Sequence, residues 1–244
     1  MIITSVQNQK IKMRAKLHLH KERLRQQCFA VEGRHMVEEA DQAGCLQELY
    51  IAEGIPNDFS IEPVFCSPAV MKKLSHRQSA ADMIGICRFP VLHPKNEKTV
   101  VFLQDVQDPG NVGTLIRSAY SFGIDALYLS AGCADPYNPK TLQASQGAIF
   151  HLPCIVCDLP AVMAQKQHSG MTLYATALHH RSQALQAIKP KHPCGIVLGN
   201  EGQGLPDELI EQCDATVKIE MTAFESLNVA VAGSLMMYEF QYKK

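Results

Sequence analysis

From residue 99 onward, short apolar runs of strand length alternate with longer runs of helical period. Strands are predicted at 99–106, 126–130, 154–157, 171–177, 194–198 and 215–219. Helices are predicted at 111–122, 139–148, 158–168 and 206–212, with a last helix at 227–241. Such alternation leaves few solutions, because strands joined through helices lie parallel and the helices must cover the faces of the sheet. The expected fold class is α/β, with a parallel sheet covered by helices.

The chain before residue 89 is a smaller unit of mixed pattern. Phe29 to Glu32 is apolar and runs into a turn at Gly33. A helix is predicted at 35–43, a strand from Leu46 to Ile51, a short strand at Val64–Cys66, a helix from Pro68 to Leu74 and a strand at Ile84–Cys87. Pro68 suits the first turn of its helix, where a missing N–H leaves no bond unmade. Phe89 to Lys98, with Pro90 and Pro94, is the best linker in the sequence. The expected domains are 1–92 and 99–244, joined by 93–98.

The net charge is −1, which alone gives no hint of a polyanionic partner. Its distribution does. Residues 1–35 hold eight basic side chains (Lys10, Lys12, Arg14, Lys16, Lys21, Arg23, Arg25 and Arg34) against two acidic ones, whereas 36–66 hold seven acids and no Lys or Arg. A basic leading segment is either an electrostatic footprint for a polyanion or a solvated helix face, and charge alone leaves both open. No apolar run reaches the roughly 18 residues of a membrane span, and MIITSVQNQKIKMRAK lacks the apolar centre of a secretory signal. Nine scattered cysteines fit reduced thiols in a cytoplasm rather than a disulfide framework. Cys154-Ile-Val-Cys157 has the alternation of a strand and no second ligand pair, so no metal site is expected. His168, His179 and His180 read as solvated loop residues.

Three segments carry candidate chemistry. The first, Asp108-Pro-Gly-Asn-Val-Gly-Thr-Leu-Ile-Arg117, follows the 99–106 strand. Pro109-Gly110 makes a turn and Asn111 is the expected N-cap. At about 100° per residue, Arg117 lies roughly 160° from the apolar face of Leu115, Ile116, Ala119 and Phe122, so it points to solvent, a ligand or a partner. The second, Leu198-Gly-Asn-Glu-Gly-Gln-Gly204, brings three glycines within six residues after a buried strand, which lets backbone approach a ligand; Glu201 is its one acid. The third, Ser226-Leu-Asn-Val-Ala-Val-Ala232, opens a helix apolar nearly all round, as expected of a helix buried on every side. At the end of a chain a second subunit is the natural cover. No G-x-G-x-x-G follows any strand, which argues against a dinucleotide-dependent oxidoreductase.

Taken in order, N-x-G-x-x-x-R, L-G-N-E-G-x-G and S-L-N-V-A-V-A resemble the three motifs of the SpoU (TrmH-type) branch of the SPOUT RNA methyltransferases, over residues 99–241. Ser145-Gln-Gly-Ala148 is family-like as well. Phe29-Ala-Val-Glu-Gly-Arg34 and the pattern up to residue 88 resemble the small ribosomal-protein-like substrate-binding domain that many members carry.

This resemblance implies a C-terminal α/β domain threaded into a trefoil knot, a homodimer with its active site at the interface, and methyl transfer from S-adenosylmethionine to a ribose 2′-hydroxyl of RNA. Ribosomal RNA is favoured by the extra domain; transfer RNA, or a non-catalytic RNA-binding role on the same fold, are the alternatives. The implied catalytic set is Arg117, Asn111, Glu201, Ser226 and Asn228. Thr176, Leu198, Gly199, Gly204, Ile219, Met221 and Leu227 would hold the cofactor. Lys10, Lys12, Arg14, Lys16, Arg34 and Arg117 would contact RNA. A guanidinium stays protonated, so Arg117 suits a phosphate clamp better than a base. The resemblance implies no metal and no membrane.

Overall fold

A computed structural model describes residues 2–77, 79–177, 182–223 and 226–243; His179 and His180 lie outside the described residues. In chain order the first elements are β1 (Ile2–Ile3), α1 (Gln9–Arg14), α2 (His20–Gln26), β2 (Cys28–Glu32), α3 (Arg34–Gln42), β3 (Leu46–Ala52), β4 (Val64–Cys66), α4 (Pro68–Leu74) and β5 (Met83–Arg88). Then come β6 (Thr99–Leu103), α5 (Pro109–Ser121), β7 (Ala126–Leu129), α6 (Pro139–Ser145), β8 (Cys154–Val156), α7 (Leu159–His168) and β9 (Thr172–Thr176). The chain ends with β10 (Gln183–Ala184), β11 (Cys194–Leu198), α8 (Asp207–Gln212), β12 (Ala215–Lys218) and α9 (Val229–Tyr242).

The chain divides into two compact units. One comprises residues up to Val91 together with Tyr137–His151; the other comprises Leu92–Pro136 and Leu152 onward. The first unit has a five-stranded sheet, β1-β4-β3-β5-β2, in which β5 runs antiparallel to both neighbours. Its core gathers Ile11, Leu17, Tyr50, Val70, Met71 and Ile84. The segment 137–151 belongs here through aromatic packing: Phe29 stacks on Phe150 at 5.8 Å and lies 4.8 Å from the Tyr137 ring. His151 Nε2 also meets Glu39 Oε2 at 2.6 Å.

The second unit is a seven-stranded sheet in the order β10-β12-β9-β11-β6-β7-β8, parallel at every pairing. Val100 to Leu103 and Cys194 to Leu198 are buried throughout, as central parallel strands with two covered faces must be. The sheet ladder of β6 stops at Leu103, three residues short of the expected 106. Asp105 there takes a left-handed turn (φ 53°), held by a hydrogen bond from its backbone N–H to Ser130 Oγ at 2.9 Å.

Two helix starts differ from expectation. α5 is capped by Asp108, whose carboxylate accepts the Asn111 N–H at 2.9 Å; Pro109 occupies the first helical position and Asn111 falls within the first turn. Both residues are good caps, and the proline decides between them. α9 begins at Val229, two residues later than expected, because Asn228 Oδ1 accepts the N–H groups of Ala230 and Val231. α6 ends at Ser145, where Gln146 (φ 49°) and Gly147 (φ 90°) turn left-handed.

α9 packs against α5 and β11 through Gly233, where an added Cβ would lie 2.5 Å from Leu115 Cδ2 and 2.7 Å from Leu198 Cδ1. Val229, Ala230, Met236, Met237 and Phe240 share that buried side, while Val231, Leu235, Tyr238 and Tyr242 remain exposed. Among the described residues no helix is long and apolar enough to cross a membrane. The nine cysteines are unpaired, and Cys154 forms part of β8.

Candidate active site

The three candidate segments meet in space. Asn228 Oδ1 is committed to capping α9, so its Nδ2 faces outward and donates to Asn111 Oδ1 at 2.9 Å. Asn111 must then present its own Nδ2 on the other side, where it donates to Glu201 Oε1 at 2.9 Å. Glu201 also accepts the backbone N–H of Asp108 at 3.2 Å and of Gln107 at 3.3 Å. A carboxylate only accepts, so the direction of every bond in this series is fixed from the cap of α9 to Glu201. Burial pushes the Glu201 carboxyl up, but the Asn111 amide and the surrounding backbone N–H groups outweigh it and hold the carboxyl below its ordinary value.

Beside this series lies a cavity of about 410 Å³. Thr176, Leu198, Gly199, Gly204, Ile219, Met221 and Leu227 all line it, and so do Glu201 and Ser226. The 199–204 loop is folded tightly on itself. An added Cβ at Gly199 would lie 2.4 Å from the Gly204 carbonyl carbon, and Gly204 itself adopts φ 72°. A side chain at Gly199 would have to move backbone, and one at Gly204 would meet open space but be strained by its left-handed φ.

Asn200, which motif spacing alone gave no role, holds that loop. Its Oδ1 accepts the N–H groups of Gly202 and Gln203 at 2.9 and 3.0 Å, and its Nδ2 donates to Asp105 O at 2.7 Å. The available signal was an Asn directly before Glu-Gly, the pattern of a side chain that closes its own turn.

Arg117 stands apart. It is exposed on α5, does not line the cavity of its own chain and makes no ion pair among the described residues. The basic leading segment is also divided. Arg14 Nη2 and Nε pair with the Glu48 carboxylate at 2.7 and 3.2 Å, and Nη1 donates to Gln26 Oε1 at 2.9 Å. Lys10 Nζ lies 3.2 Å from the same carboxylate. Arg34 grips both oxygens of Asp58, at 2.9 and 2.7 Å. Lys12 and Lys16 are exposed and make no ion pair among the described residues.

Residues 98–238 match the model of the SpoU rRNA Methylase family, and residues 8–85 match that of the MRM3-like substrate binding domain. The chain is 34% identical to the 23S rRNA (guanosine(2553)-2'-O)-methyltransferase RlmP of Bacillus subtilis, with 98% of each chain covered. It superposes on a crystal structure of an RNA 2'-O ribose methyltransferase with a TM-score of 0.85 at 30% identity, over 98% of this chain and 97% of that one. An AdoMet-bound rRNA methyltransferase from Sinorhizobium meliloti gives a TM-score of 0.86 at 26% identity, over 98% and 96%. With the three motifs joined by one directed series of hydrogen bonds beside a glycine-lined cavity, the chain belongs to the SpoU rRNA methylase family.

Proposed function

We propose that the protein transfers a methyl group from S-adenosylmethionine to a ribose 2′-hydroxyl of ribosomal RNA. The observation that carries this reading is the Asn228–Asn111–Glu201 series, which locks three segments far apart in sequence around one cavity. The cavity suits the cofactor. Apolar walls at Leu205, Val217, Ile219, Met221 and Leu227 suit adenine, and the absence of a side chain at Gly199 and Gly204 leaves backbone to meet the polar parts. When bound, S-adenosylmethionine supplies an electrophilic methyl group on a sulfonium.

The chain's own part is then orientation and proximity, which can lower a barrier by several kcal/mol. Arg117 offers a planar fork of donors for an RNA phosphate and remains charged throughout. Glu201, held below its ordinary value by the bonds it accepts, is suited to positioning Asn111 rather than to taking a proton. The hydroxyl proton passes to solvent. Lys12 and Lys16 remain the best placed of the leading cations for phosphate contacts, since Arg14 and Arg34 already hold carboxylates.

The working form is a homodimer. What supports this is the exposed side of α9, where Val231, Leu235, Tyr238 and Tyr242 leave an apolar stripe at helical spacing. Arg117 does not line its own cavity, which leaves it free for the interfacial active site that the resemblance implies. The knotted topology implied by the resemblance belongs to the same reading. Reduced cysteines fit a cytoplasmic setting.

The test is incorporation of radiolabelled methyl into unmodified ribosomal RNA, with mapping of alkali-resistant linkages. Label in ribose of ribosomal RNA supports the reading. Label in transfer RNA alone would transfer the activity to the other substrate, and absence of label despite cofactor binding would leave a binding protein.

A further inference from the structure

The 199–204 loop that walls the candidate cofactor cavity is tied to a strained turn outside that cavity. Asp105, just past β6, has φ 53°, a left-handed conformation that disfavours residues with a side chain and that Asp and Asn accept more readily than most. A closed pair of bonds holds it there. The Asp105 N–H donates to Ser130 Oγ at 2.9 Å, and the Ser130 hydroxyl donates back to Asp105 Oδ1 at 2.6 Å. Gln104 Nε2 donates to Oδ2 at 2.9 Å. Ser130 is only 8% exposed, so water is poorly placed to replace its hydroxyl.

The backbone leaving this turn grips the loop twice. Asp105 O accepts Asn200 Nδ2 at 2.7 Å, which leaves Asn200 Oδ1 to take the N–H groups of Gly202 and Gln203. Farther on, the N–H groups of Gln107 and Asp108 meet Glu201. A side-chain amide has one donor end and one acceptor end, so the Asp105 carbonyl decides which end of Asn200 faces the loop. Gly132 confines the carboxylate from the other side. A Cβ built there would lie 2.7 Å from Asp105 Cγ and closer still to Oδ1. Asp105, Ser130 and Gly132 do not themselves line the cofactor cavity.

We propose that Asp105 and Ser130 are positioning residues for the cofactor. The pair locks the left-handed turn, the turn aims the Asp105 carbonyl at Asn200, and Asn200 fixes the loop backbone that lines the cavity. Strain kept beside a site and held by its surroundings is how such precision is maintained. The inference rests on the cofactor reading above, and assigns to it residues that act from outside the cavity.

The experiment uses the full chain. It measures S-adenosylmethionine affinity by calorimetry, and hydrogen exchange of the peptide 199–205 in the ligand-free protein. Ser130→Ala should weaken the cofactor by about three- to tenfold, the worth of one hydrogen bond. It should also speed exchange in that peptide, and raise the KM for the cofactor far more than it lowers kcat. Gly132→Ala, which pushes the carboxylate off Ser130, should act in the same direction. Asp105→Ala should be worse than either, because it loses the carboxylate and leaves alanine in a left-handed turn. Asp105→Asn should restore most of that loss. Asparagine accepts the turn and the Ser130 hydroxyl, and Gln104 Oε1, buried with no hydrogen-bond partner among the described residues, can take the new amide once the Gln104 amide flips.

Variants that melt earlier but keep wild-type cofactor affinity and exchange at 199–205 would overturn the proposal, since the pair would then serve the fold alone. Asp105→Asn as poor as Asp105→Ala would overturn it too. Methyl transfer to ribosomal RNA by wild type, with cofactor affinity indifferent to Ser130 and Gly132, would sink this inference alone. Cofactor affinity and exchange that follow the expected order, in a chain that methylates no RNA, would sink the activity alone.

Discussion

Asn111 donates its side-chain amide to Glu201 across 2.9 Å, and the orientation of that amide is dictated by Asn228 on its other side. The pair is therefore a directed contact between the first helix after β6 and the glycine-rich loop. Asn111→Asp reverses one end of it, setting a carboxylate against Glu201 and removing the donor. Hydrogen bonds to charged groups contribute about 1.5–3 kcal/mol when buried, and this one is partly solvated. Methyl transfer should fall by about 10- to 100-fold, while the melting temperature changes by a few degrees at most. Wild-type turnover in Asn111→Asp would mean that the series only decorates the site.

Glu201 offers a test by pH. Its folded-state carboxyl lies below the ordinary value, because hydrogen bonds from Asn111 and the nearby backbone outweigh the opposing effect of burial. A depressed acid stabilises the fold above its unfolded value of about 4.3, and that contribution disappears as pH falls through the folded value. Urea unfolding should show wild type ahead of Glu201→Gln at pH 7, with the gap closing in acid. Because the carboxylate is fully charged at neutral pH, the rising limb of the pH–rate profile should sit at the same place in both proteins. Its disappearance in Glu201→Gln would make Glu201 the proton acceptor.

Packing under the site is tested at Gly233. An added methyl there meets Leu115 and Leu198 at 2.5 and 2.7 Å, and both leucines are buried. Overpacking of this kind costs about 1–3 kcal/mol. Gly233→Ala should lower the melting temperature by roughly 2–4 °C per kcal/mol for a chain of this size. An unaltered melting temperature would show that α9 can slide away from β11.

What the sequence made legible was the second sheet and its motifs, and the reason is burial. Val100 to Leu103 and Cys194 to Leu198 are covered on both faces, so they read as unbroken apolar runs. β1 and β10 have two residues each, too short for any period to show. The membership of residues 137–151 in the first unit depends on Phe29 meeting Tyr137 and Phe150, contacts spanning more than a hundred positions. The same holds for the leading cations: nothing local announces that Arg14 will pair with Glu48, 34 residues on. The glycine-rich turn after a buried strand was legible as a place where backbone can approach a ligand, whereas the set from Thr176 to Leu227 came from the resemblance, since those residues are brought to one cavity only by the fold. Asn200 was not legible, because its role lies in bonds to its own turn and to Asp105.

The exposed side of α9 predicts assembly. Val231 is 49% exposed and Leu235 42% in the single chain, so Val231→Asp places its charge in water when the chain is alone. A folded monomer is the expected product, with a far-ultraviolet spectrum like wild type and methyl transfer lost. Burying an unpaired carboxylate at a pairing surface costs several kcal/mol, enough to separate the copies. Sedimentation that finds wild type monomeric at micromolar concentration with full activity would end the dimer reading.

Arg117 separates a phosphate clamp from a base. It is exposed on α5 and absent from the lining of its own cavity. Arg117→Ala should therefore abolish methyl transfer while S-adenosylmethionine binds as before. Arg117→Lys keeps the charge and loses the planar fork. As a clamp, the lysine variant retains a measurable rate with weaker RNA affinity, and its pH–rate profile keeps the wild-type shape. As a base, lysine, whose ordinary value of about 10.4 lies below that of a guanidinium, would move the rising limb toward lower pH. The expected outcome is the unmoved profile, because a group that stays protonated at every working pH can hold an anion but has no place to put a second proton. A limb shifted by about one unit or more toward acid would assign the proton to Arg117 instead.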